Sequence, residues 1–114
     1  MNILLELLDK PIAFQRSFLK IGNANTALFL SQCFHWQKHT KDEFDGWFCR
    51  TIEQFEHEMG LTRREQESVK KTLKAKGILH TEMRGAPAKL WMKLDLDLIY
   101  KILTDSDVME KTPC

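Results

Sequence analysis

The sequence predicts a mainly α-helical domain carrying a small antiparallel β-hairpin, and three observations lead there. Thr51 with Gln54 and Thr62 with Glu65 form two capping-box spacings on either side of Gly60. In such a box a hydroxyl and a Gln or Glu side chain satisfy each other's orphan amides, which starts a helix. Two β-prone runs, Ile78–Met83 and Leu90–Leu94, flank the loop Arg84–Lys89 with its glycine and proline, the mark of a hairpin. Upstream, Thr26–His39 is apolar on most sides, which is the pattern of a helix central to its domain.

The first apolar run, Ile3–Leu8, is ambiguous between helix and strand. Asp9 and Pro11 are suited to a helix start, and Ile12, Phe14, Phe18, Leu19 and Ile21 recur near helical spacing, so a helix is expected up to Gly22. Asn23 or Asn25 caps the central helix, and Lys38–Asp45 is a polar loop. A short strand follows at Gly46–Arg50. Thr51 then opens a helix with Ile52, Phe55 and Met59 on one face, stopped by Gly60. Thr62 opens the next, about Arg63–Lys76, which ends at Gly77. Two helices joined through Gly60-Leu61-Thr62 make a helix-turn-helix by spacing. After the hairpin, Asp95 caps a last helix over Leu96–Leu103. A strand before a helix-turn-helix and a hairpin after it give a winged helix-turn-helix with extra N-terminal helices. Residues 1–104 form that single domain, and 105–114 are a flexible acidic tail.

Length and composition fit this plan. A chain of 114 residues is one domain in size. It has 43% apolar and 29% charged residues, which excludes global disorder. No apolar run approaches the roughly 20 residues of a membrane span. The opening segment lacks a basic region and a small-residue cleavage site, so no secretory signal is expected. Three cysteines without a CxxC suggest free thiols and a cytoplasmic location. Cys114, the last residue, is expected to be exposed.

Charge is polarised along the chain. Residues 62–93 hold nine bases against three acids, a net of +6, while the remainder carries −5. The local field, not the total of +1, steers a phosphate backbone. On a helix over Arg63–Lys76, Val69 and Leu73 lie about 40° apart with Gln66 beside them, forming the buried stripe. Arg64, Ser68 and Lys71 fall opposite, and Arg63, Lys70 and Lys74 flank them. A major groove accepts such a helix, so Arg63, Arg64, Ser68 and Lys71 are expected in the groove and Lys70 and Lys74 on phosphates. The helix start also offers backbone amides to a phosphate. Arg84 and Lys89 are expected on the wing, where Gly85, Ala86 and Ala88 keep the tip slim.

These residues resemble a known family. Ile21-Gly22, the run Ala27–Trp36 (ALFLSQCFHW), Gly46-Trp47-Phe48, Gly60-Leu61-Thr62-Arg63-Arg64, Gly77-Ile78-Leu79 and Lys89-Leu90-Trp91 look like the N-terminal winged-helix domain of phage and plasmid replication initiators, or replisome organisers. The resemblance covers about residues 10–103. It implies a mobile-element origin and the binding of origin or replication-linked DNA. Members often continue into a second domain that loads a helicase or oligomerises; this chain stops at Cys114.

Other groupings point to bland roles. His35 and His39 share a helix face but lack an HExxH or CxxC companion, so no metal is expected. Glu53, Glu56 and Glu58 with Asp42, Glu43 and Asp45 read as a solvated acidic face, without a nucleophile or phosphate loop. Trp36, Trp47 and Trp91 could stack bases but are expected mainly in the core. Ile3–Leu8 either covers its own core or buries against a second copy in a homodimer. The expected function is non-enzymatic, cofactor-free DNA binding, with single-stranded DNA as a variant. The alternatives are a transcriptional regulator on the same fold and an interaction module for replication proteins.

Overall fold

The computed structural model describes residues 3–109, with side chains through Asp105. It holds five α-helices and a three-stranded antiparallel sheet: α1 (Ile3–Leu7), α2 (Ala24–His39), β1 (Phe48–Cys49), α3 (Ile52–Met59), α4 (Arg63–Ala75), β2 (Leu79–Arg84), β3 (Lys89–Leu94) and α5 (Leu96–Met109). Cys114 and the rest of 110–114 lie outside the described residues.

Asn23 caps α2, its side chain accepting the Thr26 amide at 2.9 Å. Ala27, Phe29, Leu30 and Cys33 are wholly buried, so α2 is the central element. Phe29 meets Phe55 of α3 edge to face at 5.3 Å. Leu73 of α4 and Met92 of β3 complete this interior, and Ile99 of α5 closes it.

Both capping boxes form. The Gln54 amide reaches Thr51 Oγ1 at 3.0 Å and the Thr51 amide reaches Gln54 Oε1 at 2.9 Å. Gly60 ends α3 at φ +78, a left-handed conformation that favours a residue without Cβ. The sheet order is β1-β3-β2, with Phe48 opposite Met92 and Leu79 opposite Leu94. β1 is only two residues long, and Gln37 of α2 continues its pairing. Leu94 donates its amide to Gln37 Oε1 at 2.7 Å, and Gln37 Nε2 donates to the Leu94 carbonyl at 3.2 Å.

Two elements differ from expectation. The helix expected before Gly22 is a 3-10 turn, Arg16–Lys20, preceded by irregular chain. Phe18 and Ile21 are the buried residues there, a three-residue spacing that one 3-10 turn delivers. The Gln15 amide donates to Ser31 Oγ at 2.8 Å, which satisfies it outside any helix. At the other end α5 continues to Met109, past the expected stop at Leu103. Part of the expected tail is therefore helical, with Thr104 Oγ1 donating to the Tyr100 carbonyl at 2.7 Å. α1 buries none of its side chains, so it covers no core of its own chain.

Candidate nucleic-acid interface

α4 is held by its start and by its inner face. The Glu65 amide donates to Thr62 Oγ1 at 3.2 Å, and the Thr62 amide donates to Glu65 Oε1 at 2.9 Å. Gln66 is fully buried, and its Nε2 donates to the carbonyls of Leu61 and Ile52 at 2.9 and 3.0 Å. With Val69 and Leu73 also buried, the rotation of the helix is fixed. Arg64, Ser68, Lys71 and Lys74 are exposed, as the helical projection predicts.

This outward ridge separates two clefts. On one side Lys70, Lys71, Lys74 and Glu67 face Thr81 and Leu90 of the hairpin across a groove of about 320 Å³. On the other, Arg64 and Ser68 border a cleft of about 360 Å³ against Asn23, Asn25 and Thr26 at the start of α2. Arg64, Lys71, Lys74 and Lys89 make no ion pair among the described residues. Their charge remains available to an incoming anion.

Lys70 is half-buried at the inner edge of the groove. Burial is the main reason its ammonium falls below the ordinary lysine value. Glu67 opposes that shift, while Arg63 and Lys74 add to it. An anion in the groove would favour the charged form. Burial also pushes the Cys33 thiol far up, so it stays protonated.

Three expected contacts already have partners within the chain. The start of α4 does not offer its first amides freely, because Thr62 Oγ1 already accepts one. It also carries the Glu65 carboxylate, held below its ordinary value chiefly by the Thr62 amide. A phosphate there would meet a negative charge. Arg63 does not face a groove unopposed, since Glu53 and Glu67 lie 3.6 and 3.7 Å from its guanidinium. Arg84 does not extend from the hairpin tip. It turns back along the outer face of the sheet, ion-paired with Glu82 at 3.1 Å and lying over Trp47 and Trp91, 4.8 and 5.4 Å from their ring centroids. Lys89 opposes Arg84 in the hairpin register and is exposed.

All three tryptophans are half-buried; Trp36 packs against the core as expected, while Trp47 and Trp91 lie outside it. Strand alternation explains Trp91. Leu90, Met92 and Leu94 point inward, so Trp91 points out. That alternation is legible in Lys89–Leu94 and could have placed it. Trp36 donates Nε1 to Glu58 Oε1 at 2.9 Å, which also accepts from Gln32 at 2.8 Å. Arg50 ion-pairs with Glu58 and stacks on Trp36 at 4.1 Å. Glu58 is thereby a structural link between α2, α3 and β1 and not part of a solvated acidic face. The His35 and His39 rings lie 4.7 Å apart, and no group of three or more His, Cys, Asp or Glu among the described residues is arranged to hold a metal. No helix among them is long and apolar enough to cross a membrane.

The helical ridge thus brings Arg64, Ser68, Lys70, Lys71 and Lys74 together, sets Lys89 at the hairpin, and places Arg63 and Arg84 beside exposed carboxylates of their own chain. Sequence reasoning missed Thr81 and Leu90 as the facing wall. No protein-family model, curated protein or solved structure matches the chain.

Proposed function

We propose that the protein is a winged-helix DNA-binding protein, with α4 seated in a major groove and the β2–β3 hairpin as its wing. The observation that carries this reading is the lysine-lined groove between α4 and the hairpin. A rigid helix with unopposed cations beside a slim hairpin is the shape and charge that a duplex backbone selects. Arg64 and Lys71 lie on the crest and reach base edges or phosphates. Lys70 and Lys74 contact phosphates from the flank, and Lys89 with the turn at Gly85–Ala88 follows the neighbouring backbone. Origin or replication-linked DNA binding in a mobile genetic element is the cellular role proposed, on the resemblance of Ala27–Trp36, Gly60–Arg64 and Lys89–Trp91. No catalytic step is assigned.

Arg64→Ala combined with Lys71→Ala tests the site. Loss of two contacts, each worth about 1–3 kcal/mol, predicts duplex binding weaker by on the order of 100-fold in fluorescence anisotropy. Both side chains are exposed, so the thermal midpoint should stay within about 2 °C. Four or five phosphate contacts give a log–log salt slope near −4, or a loss on the order of 100-fold between 50 and 200 mM salt. Unchanged affinity in the double variant would remove this surface from the reading, and a flat salt profile would remove the phosphate contacts.

A further inference from the structure

We propose that the outer face of the sheet is a second nucleic-acid site, which takes a single DNA strand by stacking its bases on Trp47, Trp91 and Phe44. This goes beyond the α4 reading and uses the opposite side of the hairpin.

The outward face of a half-buried antiparallel sheet is ordinarily polar. Here it carries a strip of large rings. The Arg84 guanidinium lies over both Trp47 and Trp91, and Phe44 sits 5.1 Å from Trp91 at a 46° tilt. None of these rings is needed to fill the core, whose members lie on the inward side. The cations beside them suit a phosphate backbone. Lys89 is exposed, and Arg84 and Lys93 are half-exposed. The acids paired with Arg84 and Lys93 are weak competitors. Glu82 is about half exposed, and Asp45 is 92% exposed at 3.4 Å from Lys93. Surface pairs of this kind contribute little, so a phosphate can take the place of either carboxylate.

An arginine plane flanked by aromatic rings stacks bases without regard to sequence, because every base presents a π-face. A duplex cannot use such a strip, since its bases are already stacked on one another. The occupant is therefore unpaired, and a strip of three rings accommodates two or three bases.

Oligo(dT) of about 12 nucleotides tests the site, read by fluorescence anisotropy and by quenching of tryptophan emission. Wild-type protein should bind it with quenching. Trp91→Leu and Trp47→Leu should each weaken it by about 10-fold or more. Arg84→Glu, a change at the surface, should do the same and serves if the tryptophan variants fail to fold. The Arg64→Ala/Lys71→Ala variant should keep its oligo(dT) affinity, and Trp91→Leu should keep its duplex affinity. Failure of wild type to bind or quench overturns the proposal. So does binding that survives Arg84→Glu, or binding lost in the Arg64/Lys71 variant, which would place the strand on α4. Loss of duplex binding without change in oligo(dT) binding tests the α4 reading separately.

Discussion

Replacing Gln37 by leucine should destabilise the fold by about 3 kcal/mol, because the side chain it removes is completing a sheet. Gln37 is 8% exposed, and both ends of its amide are used on one residue, the amide and carbonyl of Leu94. Leucine has nearly the same volume, so the change creates little cavity. It leaves two buried backbone groups without partners, each costing about 1–3 kcal/mol. The added burial of an apolar side chain offsets roughly 1–2 kcal/mol of that total. For a chain of 114 residues the net corresponds to a fall in thermal midpoint of about 12 °C. Circular dichroism melts and urea titration give the value. Hydrogen exchange at the Leu94 amide reports the cause, since protection there should be lost first. A fall of less than about 4 °C with the Leu94 amide still protected would show that the pairing is not what holds β3 to α2.

Other outcomes follow from the corner between α3 and α4. Gly60→Ala meets no atom within 4 Å, so its only cost is the left-handed backbone at φ +78. It should lower stability by about 1 kcal/mol in urea titration without altering DNA affinity, and an unchanged midpoint would contradict that account. Glu65 has a folded value below its ordinary 4.5 because it accepts the Thr62 amide. Its charge therefore contributes stability that is present above 4.5 and lost as pH falls through the lower folded value. Glu65→Gln keeps the neutral capping box, so the gap between wild type and variant should narrow on acidification below 4.5; a gap independent of pH in stability measurements would count against it.

What the sequence made legible was local. The capping boxes, the Gly60 stop, the buried stripe of α4 and the hairpin all depend on residues a few positions apart, and each is present, the hairpin with Arg84 and Lys89 paired in its strands instead of in its loop. What it concealed was set by distant partners. Arg84 reads as a wing-tip cation until Trp47, far away in sequence, draws its guanidinium back across the sheet. Arg63 reads as a groove contact until Glu53 of the preceding helix comes beside it. The N-terminal segment misled for a different reason. Phe14, Phe18 and Ile21 keep helical spacing, yet only Phe18 and Ile21 are buried and Ile12 and Phe14 stay exposed, so the pattern did not mark one buried face.

The pairing of Gln37 with Leu94 also bears on how the molecule behaves in a crowd. Exposed strand borders recruit extended segments from other chains and so nucleate aggregates. β1 begins only at Phe48, opposite Met92, which would leave Leu94 at the end of the central strand bare on that side. A side-chain amide mimics the missing peptide unit, and the border is sealed from within by a helix that no foreign strand can displace without unfolding it.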